Sequence, residues 1–241
     1  MHLFVGTPCY GGMMCTEYTQ SLLGLKEACI KNNLELTCMF LGNESLIQRG
    51  RNTIAHEFLK TNASHLMFID ADQKFVPNDI ARMIKAGKGI IGGAVPMKGI
   101  NWDRVRDGAH QNHPRLDLLT GIFNVNHLPG HSMVDPNIPF QVKHVGTGFM
   151  LIAREVFEKL KPHVGWYFKD GERHYDFFKV QNVNNELLSE DYNFCHMYRS
   201  NGGTVWLAPW CELGHFGAHC FNGKYSEVNA NGSAQLHKVS A

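Results

Sequence analysis

The sequence has no C-x-x-C pair, no apolar run of membrane-spanning length, no basic excess, no internal repeat and no domain linker. Its seven cysteines (Cys9, Cys15, Cys29, Cys38, Cys195, Cys211 and Cys220) are an odd number in a chain of 241 residues. A chain of this length buries a core without covalent staples, so reduced thiols in a cytosolic setting are expected. No stretch approaches the ~20 apolar residues of a transmembrane helix. Residues 1–6 are too short for the apolar core of a signal peptide and read as a first strand. A net charge of +1 argues against a general binder of nucleic acid or membrane surfaces. A small anionic ligand held by one or two arginines stays open. What is present is ordinary for a globular protein, with 44% apolar and 19% charged residues, and one domain is expected over 1–241. The fourteen histidines are scattered, so composition alone does not indicate a metal store.

The first hundred residues alternate strand and helix. Residues 3–6, 34–41, 66–69 and 90–91 read as strands. Between them, 16–32 is periodic with Leu22, Leu25 and Cys29 on one face, and Ser45 can cap a helix running to Lys60. Pro77 opens a third helix through Lys85. Such an order predicts an α/β fold with a mostly parallel central sheet flanked by helices. From 101 to 139 the period dissolves into Pro, Gly, Asn and His, as in a functional loop or small insertion. Residues 142–153 read as one strand interrupted at Gly146-Thr147-Gly148. A short helix follows over 154–160, another over 190–200 behind Ser189, and a last strand over 204–207. The stretch 224–241 is polar and reads as a loose tail.

The most informative run is His65-Leu66-Met67-Phe68-Ile69-Asp70-Ala71-Asp72. A buried strand ends in two carboxylates, at its C-terminal end, where open α/β sheets hold ligands. Asp-x-Asp is also a common loop pair, and only its place after the third strand raises it above that. Two acids beside a core need a cation, and a divalent ion bridging to phosphate is a natural one. Arg51 shares an arc with Ile47, Ile54 and Phe58, so its guanidinium must be paired internally or bind an anion. Asn52 can add a hydrogen bond there. Thr7-Pro8-Cys9-Tyr10-Gly11-Gly12 ends the first strand with small residues that can cradle a nucleotide, with Tyr10 placed to stack on a base; the same residues also make a simple turn. In Ser189-Glu190-Asp191, both acids suit a first helical turn, and Asp191 could also serve as a general base. Glu212–His219 carries His215 and His219 at i and i+4, but Gly214 and Gly217 weaken a helix. One histidine completing a site begun by the aspartates is more economical than a helical two-His zinc site, and a mixed His/carboxylate shell suits Mn²⁺, with Mg²⁺ second. His110, His113, His127 and His131 read as loop histidines, and Trp102 as packing or a sugar platform.

In this order, Arg51-Asn52, Phe68-Ile69-Asp70-Ala71-Asp72, Gly92-Gly93 with Pro96 and Lys98, Val145-Gly146-Thr147-Gly148-Phe149, Ser189-Glu190-Asp191 and Gly214-His215 resemble the GT-A-fold nucleotide-sugar glycosyltransferases. The likeness is nearest to short single-domain versions from large DNA viruses and phages, and runs from about residue 3 to 223. It implies a Rossmann-like, nucleotide-sugar-binding half over 1–100 and an irregular acceptor and catalytic half over 101–223. By the same resemblance, Thr7, Pro8 and Tyr10 line the nucleotide site and Arg51, with Asn52, contacts the nucleotide or its phosphates. Asp70 holds the ribose or sugar and shares the metal with Asp72 and His215, with His219 as the alternative ligand. Gly146, Thr147 and Gly148 form the wall between donor and acceptor. Asp191 matches the base of inverting members, and Glu190 supports sugar or acceptor. The implied activity is Mn²⁺-dependent transfer of a hexosyl or pentosyl group to a glycan or glycoprotein hydroxyl, in a host cytosol if the chain is viral. Two other readings use the same residues: a nucleotidyltransferase or phosphohydrolase, and a non-catalytic nucleotide- or glycan-binding protein.

Overall fold

The computed structural model describes residues 1–229. The first half alternates as the periodicity predicts: β1 (His2–Cys9), α1 (Thr16–Lys31), β2 (Glu35–Gly42), α2 (Ile47–Lys60), β3 (His65–Ile69), β4 (Gln73–Lys74), α3 (Pro77–Lys85) and β5 (Ile90–Gly93). The second half holds α4 (Trp102–His110), α5 (Leu116–Leu119), β6 (Phe140–Val142), β7 (Phe149–Ala153), α6 (Arg154–Leu160), β8 (Trp166–Lys169) and β9 (Glu172–Tyr175). It closes with β10 (Gln181–Val183), β11 (Glu186–Leu188), α7 (Glu190–Ser200), β12 (Val205–Ala208), β13 (Glu212–Phe216), β14 (Cys220–Lys224) and α8 (Tyr225–Asn229).

Seven strands form the central sheet in the order β2-β1-β3-β7-β5-β12-β6. Five share one direction, while β7 and β6 run against it. The expected α/β architecture is what the chain adopts: a mixed, mostly parallel sheet flanked by helices. Strand alternation divides the core between the two faces. Phe4, Leu66 and Phe68 pack with Ile54 and Phe58 of α2, whereas Leu3, Val5, Met67 and Ile69 pack with Tyr18 and Leu25 of α1. Since β3 is covered on both faces, it reads as an unbroken apolar run rather than an alternating one. No helix among the described residues is long and apolar enough to cross a membrane, and all seven cysteines are free.

Four local expectations are corrected. Ser45 does not cap α2; the helix begins at Ile47, and the Glu44 carboxylate accepts from the Leu46 N–H instead. The interval 142–153 is two strands in different places, β6 at the sheet edge on β12 and β7 between β3 and β5. Local pattern marks strands but does not choose their neighbours. The stretch 101–139 is not wholly irregular, since α4 and α5 fill its first half. Asn101 caps α4 by accepting from the Arg104 N–H at 3.0 Å, and Gly108 sits inside the helix because a Cβ there would lie 2.3 Å from Leu119. A glycine needed for close packing hid the helical signal. The tail does not loosen at 224: α8 follows β14 directly, with Tyr225 buried and its hydroxyl 2.9 Å from His127 Nε2. The rest of the expected tail, 230–241, lies outside the described residues.

Candidate functional site

The loop after β3 is pinned by backbone bonds from three distant segments. The Asp70 N–H donates to Gly148 O at 3.0 Å, Cys15 N–H to Ala71 O at 2.9 Å, and Phe216 N–H to Asp72 O at 2.8 Å. Two-residue β4 pairs antiparallel with β13, setting His215 opposite Gln73. That register, rather than helical spacing, brings His215 to Asp72. His215 Nε2 lies 3.2 Å from Asp72 Oδ2, while Nδ1 sits 2.8 Å from Pro96 O. A carbonyl only accepts, so Nδ1 carries the proton and Nε2 is turned toward the carboxylate. A lone pair facing a carboxylate is repulsive, so a cation belongs between them, either a proton on Nε2 or a metal ion. Lys98 Nζ reaches the same Asp72 Oδ2 at 2.9 Å. Burial alone would raise the Asp72 carboxyl, but hydrogen bonds from His215 and Lys98 outweigh it and hold the pKa at about 2. His219 is exposed in the β13–β14 turn with its ring against Phe221.

Asp70 points to a different partner. Arg51 Nη2 donates to Asp70 Oδ1 at 3.2 Å and Arg51 Nε to Glu190 Oε1 at 3.3 Å. The guanidinium, 4% exposed, also lies over the Phe68 ring. One cation between two carboxylates satisfies the buried charge. The internal pairing therefore holds for Arg51, and its charge is not free for a phosphate. Its Nη1 remains buried with no hydrogen-bond partner among the described residues, a donor group left over for a ligand. Burial, then the neighbouring Asp191 charge, pushes the Glu190 carboxyl up, against the pull of Arg51.

Asp191 occupies the first turn of α7. Its Oδ1 accepts from Ser189 Oγ and from the Tyr192 N–H at 2.8 Å. Its Oδ2 accepts no hydrogen bond from the described residues, and a Cβ placed on Gly146 would come within 3.5 Å of it. A Cβ on Gly148 would lie 3.2 Å from Asp70 Oδ2. Both glycines thus leave room beside a carboxylate. Thr147 between them is buried, and its hydroxyl has no hydrogen-bond partner among the described residues.

A cavity of about 620 Å³ opens beside this loop, lined by Pro8, Tyr10, Met13, Met14, Glu44, Ile47, Arg51, Asp70 and Asp72 among others, a volume suited to a cofactor-sized ligand. Gly11 and Gly12 turn the chain at φ 66° and 69°, a conformation that favours glycine. Just before them Tyr10, 76% exposed, stands at the cavity. Two expected donor contacts are not brought to it. Thr7 is fully buried and hydrogen-bonds Tyr18. Asn52 is buried with its amide on Asp176 at 2.8 Å and its carbonyl accepting from the Phe178 N–H at 2.8 Å. Both hold the scaffold instead. Sequence reasoning missed Met13, Met14 and the Glu44–Ile47 turn as lining; exposed apolar side chains flanking a double-glycine turn were the available signal.

A second group, His56, Glu172 and His174, has potential ligand atoms within 4.8 Å of one another. Its two imidazoles stack at 3.8 Å with planes 19° apart. In-plane lone pairs on stacked rings run nearly parallel rather than converging on one ion, and Glu172 already accepts from both His56 and Lys60.

The sequence matches no family model and no curated protein. Among solved structures, A197 from STIV is similar at a TM-score of 0.50 and 17% identity, over 90% of this chain and 86% of that one. GalNAc-T7 with UDP, GalNAc and Mn²⁺ is similar at 0.47 and 12% identity, over 89% of this chain and 43% of that one. S. aureus TarS 1-349 in complex with UDP-GlcNAc is similar at 0.40 and 11% identity, over 86% of this chain and 56% of that one. The chain thus spans about half the length of the last two. The likeness to A197 is one of fold.

Proposed function

We propose that this protein is a metal-dependent glycosyltransferase, moving a hexosyl or pentosyl group from a nucleoside-diphosphate sugar to a hydroxyl of a glycan or glycoprotein, with inversion. One observation carries the reading: Asp72 Oδ2 and His215 Nε2 face each other at 3.2 Å, with the ring held by Pro96, at the edge of a 620 Å³ cavity. The ordered motifs that resemble GT-A enzymes support the same assignment.

In this reading residues 1–100 bind the donor and 101–223 supply the acceptor side and the base. Pro8 and Tyr10 flank the nucleotide. Asp72 and His215 hold the metal, with Asp70 beside them. An imidazole and carboxylates with an open side suit Mn²⁺, and Mg²⁺ less well. Bound there, the ion would neutralise charge developing on the leaving diphosphate. Arg51 keeps Asp70 and Glu190 apart and aligned, and its spare Nη1 hydrogen is available to a donor oxygen. Gly146, Thr147 and Gly148 let the two substrates meet. Asp191, fixed through Oδ1, presents Oδ2 to take the acceptor proton as the hydroxyl attacks the anomeric carbon. Glu190 supports the sugar or acceptor.

A thermal-shift screen of nucleoside diphosphates and nucleotide sugars, with and without Mn²⁺, tests this function. Saturating ligand at about 100-fold over Kd stabilises the native state by about 2.7 kcal/mol, a rise of roughly 5–10 °C for a domain of this size. The largest rise is expected with nucleotide and Mn²⁺ together. Absence of any nucleotide-dependent shift contradicts the reading.

A further inference from the structure

We propose that Lys98 is a resident counter-ion of the metal site: its ammonium holds Asp72 until a metal–diphosphate arrives, then transfers to the diphosphate. This rests on the function proposed above and assigns a role to a residue outside that donor and metal set.

The geometry makes the exchange necessary. Lys98 Nζ and His215 Nε2 both meet Asp72 Oδ2, at 2.9 and 3.2 Å. A dication bound through that oxygen faces an ammonium at close range, and the two repel. The ammonium must therefore leave, and only the side chain can move. Its backbone segment is tied by Pro96 O to His215 Nδ1 at 2.8 Å, by Met97 N–H to Ile122 O at 2.8 Å, and by Gly99 N–H to Met97 O at 2.8 Å. The side chain is 44% exposed, with four methylenes of reach. Its stem passes over Gly217, where a Cβ would lie 3.4 Å from Lys98 Cδ.

Charge gives the displaced ammonium its destination. Arg51, the cation lining the cavity, is engaged by Asp70 and Glu190. The diphosphate gains a negative charge as the sugar leaves, and a lysine freed within a side chain's length of the metal ligand is placed to pair with it. Before ligand arrives, the same ammonium keeps the Asp72 carboxylate from standing beside the core with only an imidazole for company.

The test uses binding alone. Lys98→Met keeps the stem over Gly217 and removes the charge. Calorimetry with MnCl₂ is followed by UDP or inorganic pyrophosphate at saturating Mn²⁺. The expected signature has opposite signs: the variant binds Mn²⁺ about threefold or more tightly than wild type, and binds UDP and pyrophosphate about tenfold more weakly. Weaker binding of Mn²⁺ alone, or unchanged binding of both diphosphates, overturns the inference. Asp72→Ala in parallel separates the two levels. If it binds Mn²⁺ as wild type does, or wild type and Lys98→Met both bind none, the metal-site reading itself fails. If Asp72→Ala loses Mn²⁺ but Lys98→Met lacks the opposed pair, only the role of Lys98 fails.

Discussion

Replacing Asp72 with alanine is expected to lower Mn²⁺-dependent sugar transfer by roughly 10³-fold or more, the scale of losing the main stabiliser of charge in the transition state. The fold should survive. Asp72 is 38% exposed at its side chain and its ion pairs lie near solvent, where such pairs contribute only about 0–1 kcal/mol. The loop does not depend on the carboxylate either, because the backbone bonds from Gly148, Cys15 and Phe216 remain. His215 stays oriented through Pro96. Initial rates of nucleoside diphosphate release across a Mn²⁺ titration, with far-UV circular dichroism of the variant, check both halves of the expectation. Equal rates for variant and wild type, or full activity without metal, contradict the site. Release of pyrophosphate or nucleoside monophosphate in place of the diphosphate would move the chemistry to a nucleotidyltransferase or phosphohydrolase.

Asp191→Asn is expected to reduce kcat by about 10²–10⁴-fold, the usual contribution of a general base, with donor affinity changed less than about twofold. The substitution is conservative where the structure needs it to be. An asparagine carbonyl can still accept from Ser189 Oγ and the Tyr192 N–H, the two donors now on Oδ1. What disappears is basicity at Oδ2, the oxygen with room beside Gly146. Steady-state kinetics and calorimetric donor binding separate the effects, since loss of an interaction made only in the transition state lowers kcat and leaves binding. A wild-type rate in this variant would remove Asp191 as the base and with it the argument for inversion. Wild-type protein that binds donor but never turns it over would be a binder that kept the fold.

The sequence exposes best what is local. The run 65–69 announces a strand covered on both faces, and the acids after it fall at the C-terminal end of that strand because strand length leaves them nowhere else. Arg51 shares an arc with Ile54 and Phe58, and that spacing alone places it in the interior. Partners chosen across long separations are not legible. Asn52 meets Asp176 from 124 residues away, so it reads as a ligand contact when it in fact holds a loop. Thr7 follows the strand alternation inward to Tyr18, which the turn chemistry of Thr7-Pro8 conceals. His215 and His219 are equivalent by spacing on a helix but not on a hairpin; it is the β4–β13 register that brings His215 to Asp72. The α4 helix stays hidden because it is polar and carries a packing glycine at 108.

The most direct measurement is anomalous diffraction at the manganese edge from crystals grown with Mn²⁺ and UDP. The expected result is a single strong peak in contact with Asp72 Oδ2 and His215 Nε2, touching the diphosphate in the cavity beside Pro8 and Tyr10. A peak instead among His56, Glu172 and His174, or UDP bound with no metal at Asp72, would contradict it.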